Sequence, residues 1–237
     1  MASVKRYGFL TAWAVIVCLL LQTAARADGL AVSARAAILI DGETGRVLYE
    51  LNADTRLPMA STTKIMTALL AIERCPMDDA VTASENASGV TGTSIYLGSG
   101  ETLTMHEMLL GLMLRSGNDA AVAISEHVAG STENFAAMMN ARAASLGADA
   151  CFVTPNGLDA SGHGATARAM ALIAREAMKS ETFREIVATQ RAVIPWKNNE
   201  YSRVLNNKNR LLTGYDGATG IKTGFTGSAG RCLVFSA

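Results

Sequence analysis

The chain has 237 residues, of which 49% are apolar, with 21 basic and 21 acidic residues, three histidines and four cysteines. That length and apolar content suit one good-sized domain with a real core. The balanced charge, without any basic run, excludes a nucleic-acid binder, and so few cysteines exclude a disulfide-framework fold.

In chain order, Lys5 and Arg6 precede an apolar run from Phe9 to Leu21 that is broken only by Thr11, and Ala25-Arg26-Ala27 follows as a small-x-small pattern. This reads as a secretory signal peptide cleaved after Ala27, because the run is short for a bilayer span. The mature protein is expected to be exported and extracytoplasmic. Its remaining 210 residues carry 18 basic against 21 acidic side chains, net −3, once Lys5, Arg6 and Arg26 are gone. Cys75, Cys151 and Cys232 are expected to be buried free thiols, and no CxxC or Cys/His spacing suggests a metal.

Ala36 to Ile40 and Arg46 to Leu51 predict a hairpin around Asp41-Gly42-Glu43-Thr44-Gly45. Ile65, Met66, Leu69, Leu70 and Ile72 recur at helical spacing and predict a helix with one apolar face. Thr82 to Gly100 is polar and reads as loop. Thr104-x-x-Glu107 is a capping box, and Met105, Met108, Leu109, Leu112 and Met113 form an apolar stripe read as core. Ser116-Gly117-Asn118 breaks that helix. Further helices are expected over 119–128 and about 133–146. Pro155-Asn156-Gly157 and Gly162-His163-Gly164 mark a long loop, and Thr166 caps a helix to about Lys179. A strand-like run follows from Ala188 to Ile194, and two more strands flank Thr226-Gly227-Ser228. Strands bracketing a helical middle predict an α+β fold, with an antiparallel sheet built from both chain ends. The expected domains are a signal peptide, residues 1–27, and one catalytic domain, residues 28–237.

Ser61 and Lys64 lie three residues apart at a helix start, so both face the same way. A serine hydroxyl becomes a nucleophile when a base takes its proton. A lysine serves as that base once burial or nearby cations lower its pKa. The Ser61 N–H at a helix start also suits an oxyanion. Ser116 can relay a proton and Asn118 can hold the lysine. Ser84-Glu85-Asn86 matches the same pattern, but lies in the polar region. Lys222 and Thr223 on a strand suit a carboxylate, Gly224 allows close approach, and Phe225 offers a second N–H. Each motif alone is weak; their order and separations, 55 and 106 residues, are specific.

This motif order is that of penicillin-binding proteins and class A β-lactamases. The chain resembles the D-alanyl-D-alanine carboxypeptidases, the low-molecular-mass penicillin-binding proteins of serine peptidase family S11. The resemblance extends through Ala37–Asp41, Gly45–Tyr49, Leu57–Ala68, Phe152–Leu158, Asn207–Leu212 and Gly220–Thr226. It implies a serine DD-peptidase fold with a helical subdomain. It implies Ser61 as nucleophile, Lys64 as base, and Ser116 and Asn118 as the proton network. Lys222 and Thr223 would engage the substrate's terminal carboxylate, and the N–H groups of Ser61 and Phe225 would form an oxyanion hole. The implied partners are peptidoglycan stem peptides ending in D-Ala-D-Ala, and β-lactams, with no cofactor. Members of the family continue past the Lys-Thr-Gly strand with another strand, a closing helix and commonly a β-rich domain with a membrane-anchoring tail. The sequence is therefore expected to be truncated after Ala237, and membrane association to need a later segment.

Competing readings are a serine β-lactamase, a DD-endopeptidase or transpeptidase, and a wall-binding protein without catalysis. The absence of glutamate from Asp149 to Asp159 argues against the β-lactamase. His163 is read as structural, His106 and His127 as helix-face residues, and Glu73, Glu126 and Glu133 as solvated. Lys208 is a candidate for lining the cleft.

Overall fold

A computed structural model describes residues 32–197 and 199–237. The proposed signal segment lies outside them. Arg35–Ala237 forms one compact unit.

The N-terminal hairpin is β1 (Ala37–Ile40) and β2 (Val47–Leu51), with Leu39 opposite Tyr49. Asp41 closes its turn by accepting from the Thr44 N–H and hydroxyl, at 2.7 and 2.6 Å. A 3-10 turn, Ala60–Thr63, then leads into helix α1 (Lys64–Arg74). Every residue of α1 from Lys64 to Ala71 is buried. The sequence predicted one apolar face; the helix is instead central, packed by neighbours on all sides. Ala68 and Ala71 supply the small positions that allow this close packing. Ile65, Met66, Leu69 and Leu70 each contribute roughly 1.5–3 kcal/mol by burial.

The polar stretch expected to be loop, 82–100, holds the short helix α2 (Glu85–Gly89) and is flanked by two short strands, β3 (Ala80–Thr82) at its start and β4 (Thr102–Thr104) just beyond its end. They were illegible because each is five residues or fewer, too short to show a period. The capping box at Thr104 and Glu107 is present and starts α3 (Met105–Leu114), whose methionines are buried as expected. α4 (Asn118–Ala129) and α5 (Thr132–Ser145) follow, and α4 ends on left-handed Gly130. β5 (Ala150–Cys151) and β6 (Gly164–Ala165) clasp the base of the 152–163 loop. α6 (Ala167–Ala177) starts at Thr166, which accepts from the Ala169 N–H.

After α6 the sequence reading missed α7 (Glu181–Ala188), capped by Ser180. Its Phe183, Ile186 and Val187 are buried at helical spacing. The strand expected from Ala188 begins only at Arg191: β7 (Arg191–Ile194) pairs with β8 (Arg203–Asn206). A short helix, α8 (Leu211–Gly214), precedes β9 (Gly220–Thr226) and β10 (Gly230–Ser236), which pair antiparallel with Gly224 opposite Cys232.

The α+β class stands. Both chain ends supply antiparallel strands, but among the described residues hydrogen bonds join β1 only to β2 and β9 only to β10. The two ladders share α6, which packs on both β1 and β10. The core lies among α1, α3, α4, α6 and α7. The three thiols are free, and half-buried rather than buried. Among the described residues no helix is long and apolar enough to cross a membrane.

Candidate active site

The 3-10 turn that carries Ser61 is held by its own side chains. The Thr62 hydroxyl donates to Met59 O at 2.5 Å and the Thr63 hydroxyl to Ala60 O at 2.8 Å. Ala60 has φ +47°, a left-handed conformation that costs an L-residue of order 1–3 kcal/mol. Two glycines make room for this turn. A Cβ on Gly157 would sit 2.0 Å from Ala60 O, and one on Gly224 would sit 3.0 Å from the Ser61 nitrogen. The Lys-Thr-Gly strand therefore lies directly against the Ser61 peptide.

Lys64 Nζ is 3.0 Å from Ser61 Oγ, 2.8 Å from Asn118 Oδ1 and 2.5 Å from the Asn156 carbonyl oxygen. Its side chain is completely buried. Burial, followed by the cations of Lys222 and Lys208, holds its pKa well below the usual lysine value, against an opposing pull from Asp119. A neutral amine has two protons. Asn118 Oδ1 and Asn156 O accept both, which leaves the nitrogen lone pair toward the Ser61 hydroxyl.

Asn118 is fixed from two directions. Its Nδ2 donates to Thr91 O at 2.8 Å and its backbone N–H to Thr93 O at 2.7 Å. Its neighbour Asp119, which the sequence reading passed over, anchors the loop above the helix. The Asp119 carboxylate accepts from the Ser94 hydroxyl at 2.5 Å and from the N–H groups of Ile95 and Leu97 at 3.0 Å. Ser116 is buried in a left-handed conformation, φ +64°, in the break between α3 and α4. The rival Ser84 caps α2 and donates to Glu126 at 2.6 Å, so it is engaged elsewhere. Glu126 thus ties α2 to α4 rather than facing solvent freely.

Lys222 is buried, and its Nζ donates to Thr223 O at 3.0 Å. Burial and the Lys208 cation push its pKa down to about 7. Lys208, beside it, is itself lowered by burial and by Arg115. Thr223 and Gly224 are half-buried on β9, and the Phe225 side chain is exposed.

His163 joins the site from behind. Its Nδ1 accepts from the Val153 N–H at 3.0 Å, so in the neutral ring Nε2 carries the proton. Nε2 donates to Thr63 Oγ1 at 3.0 Å, and Thr63 donates onward to Ala60 O. Burial lowers the His163 pKa to about 4 and so favours the neutral ring, against the opposing pull of Asp159. His163 is thus engaged structurally, as expected, and through Thr63 it supports the carbonyl of Ala60, the strained residue that precedes Ser61. The signal for Asn156 was absent from the sequence because the group that counts is a backbone carbonyl.

A family model for D-alanyl-D-alanine carboxypeptidases, peptidase family S11, matches residues 22–237. The carboxypeptidase DacF of Bacillus subtilis is 41% identical over 91% of this chain and 57% of its own length. DacC of Escherichia coli is 37% identical over 87% of this chain and 54% of its own length. The chain thus spans just over half of these two relatives. A Streptomyces D-alanyl-D-alanine carboxypeptidase is 36% identical over 82% of this chain and 72% of its own. The crystal structure of a Streptomyces DD-transpeptidase superposes with a TM-score of 0.82, at 33% identity, covering 88% of this chain and 86% of that one. With the serine, the buried lysine and the Lys-Thr-Gly strand brought together as described, the chain belongs to the D-alanyl-D-alanine carboxypeptidase family, peptidase family S11.

Proposed function

We propose that this chain carries the acylation centre of a serine DD-carboxypeptidase that removes the terminal D-alanine from peptidoglycan stem pentapeptides. The observation that carries this reading is the buried Lys64 amine, 3.0 Å from Ser61 Oγ, with acceptors for both of its protons. Ser61 Oγ attacks the carbonyl of the penultimate D-alanine and its proton passes to Lys64. The N–H groups of Ser61 and Phe225 stabilise the oxyanion. Protonated Lys222, with Thr223, engages the terminal carboxylate, and Ser116 passes a proton to the departing amine. Water then hydrolyses the ester on Ser61. β-Lactams present a similar acyl group and would acylate the same oxygen. The reaction belongs outside the cytoplasm, after removal of residues 1–27, and needs no cofactor.

The test is incubation of the purified protein with a fluorescent penicillin and, separately, with a pentapeptide ending in D-Ala-D-Ala. The expected result is covalent label on the peptide containing Ser61, release of D-alanine, and loss of both in Ser61→Ala. Rapid penicillin hydrolysis with intact pentapeptide would establish a β-lactamase instead. Absence of any covalent label would leave a wall-binding protein.

A further inference from the structure

Away from Ser61, the fold assembles a cluster that the sequence spacing hid. Cys75 Sγ, an Asp79 carboxylate oxygen and a His127 ring nitrogen all lie within 4.8 Å of one another. Cys75 is the residue that ends α1, and His127 lies in the last turn of α4. We propose that Cys75, Asp79 and His127 bind one zinc ion that staples the distal ends of α1 and α4.

The donor set is that of a thiophilic divalent cation: one thiolate, one imidazole and one carboxylate. The geometry agrees. His127 Nε2 and Asp79 Oδ2 are 3.5 Å apart, long for a hydrogen bond. Zinc bonds of about 2.0–2.3 Å set tetrahedral ligand atoms roughly 3.3–3.8 Å apart, so a cation fits between the two. The loop is also preorganised. Asp79 N–H donates to Pro76 O at 3.3 Å, Met105 N–H to Asp79 O at 2.8 Å and His106 N–H to Met77 O at 2.9 Å. The backbone that presents Cys75 and Asp79 is therefore fixed from both sides before any ligand arrives. His127 is exposed, which leaves an entry path and a fourth position for water.

The position gives the site its consequence. α1 and α4 pack against each other, and their other ends carry Lys64 and Asn118. The cluster lies about 16 Å along α1 from Lys64, too far to touch reacting atoms. It would fix the relative register of the two helices that place the lysine and its acceptor.

Cobalt(II) titration under a phosphine reductant tests this. The expected result is one equivalent bound with a near-ultraviolet thiolate–cobalt band, displaced by zinc. Cys75→Ser should lose the band, and His127→Gln and Asp79→Asn should weaken binding at least about tenfold. Zinc should raise the Tm of the wild type and not that of His127→Gln, an exposed position where folding is not at risk. No thiolate band in the wild type, a band that persists in Cys75→Ser, or unchanged affinity in His127→Gln would each overturn the proposal.

Discussion

Lys64 Nζ stands 3.0 Å from Ser61 Oγ with its whole side chain out of water. As the proposed base, Lys64 would act only when neutral; burial lowers its pKa most, and three neighbouring groups adjust it further. Lys222 and Lys208 lower the Lys64 pKa and Asp119 raises it. Removing the Lys208 cation must therefore raise the Lys64 pKa. Lys208→Gln is expected to move the ascending limb of the pH profile for penicillin acylation to higher pH. Lys64→Arg, which cannot lose its proton, is expected to slow acylation by about 10²–10⁴-fold at every pH.

Lys222 gives a prediction on stability. Its folded pKa is about 7, below the ordinary lysine value of 10.5. Below pH 7 both folded and unfolded chains hold the proton, and folding bears the full cost of burying a cation. As pH rises from 7 to 10.5 the folded state has lost a proton that the unfolded state keeps, so this cost fades. Lys222→Met is expected to raise Tm near pH 6 and to give a smaller gain near pH 10. Thermal unfolding at the two pH values measures it, and an equal gain at both would refute it.

Gly157→Ala is expected to be severe. The position has φ +82° and its added Cβ would lie 2.0 Å from Ala60 O, a backbone atom that cannot rotate away. The loss should exceed roughly 2 kcal/mol, or several degrees of Tm, and should lower acylation because the displaced residue precedes Ser61.

His163→Ala removes the donor to Thr63 and the acceptor for Val153 N–H, while leaving Ser61 and Lys64 untouched. The acylation rate is expected to fall with little change in the pH of its ascending limb, since the mutation acts on geometry. His163→Gln, which can both donate and accept, should recover much of the rate. A Gln variant no better than Ala would show that the His163–Thr63 hydrogen bond has no part in the rate.

The loop above the site depends on a buried ion pair. Arg203 reaches both Glu101 oxygens, at 2.6 and 2.7 Å, and donates to Tyr96 O at 2.9 Å. Both side chains are 4% exposed. Burial alone would raise the Glu101 pKa; hydrogen bonds from Arg203, Gly98 and Lys197 overcome it and leave the pKa lowered. Its contribution is thus present above the ordinary carboxylate range and lost as pH falls below it. Glu101→Gln strands the Arg203 cation and is expected to cost about 3–5 kcal/mol at neutral pH, with a smaller difference from wild type in acid.

Helix starts were the most legible part of the fold. Thr104, Thr166 and their partners leave a chemical mark within one turn, and the structure has both caps. α7 was missed although Ser180 and the Phe183, Ile186, Val187 spacing were in view; at eight residues it competed with a β-branched run just after it. The Cys75, Asp79 and His127 cluster left no mark, because nearly fifty residues separate its last two members.

By itself the sequence determined the reacting types and their order: one serine three residues before a lysine, a Ser-x-Asn, and a late Lys-Thr-Gly. Spacing along one helix is a local property, and local properties survive in sequence. Only the tertiary structure decided which Ser-x-Asn serves the lysine, since Asn118 reaches Lys64 across 54 residues and Asn156 across 92. It also decided that the lysine's pKa is held well below its ordinary value. Charge state depends on burial and on cations brought near from β9 and its approach, and those distances exist only once the chain has folded.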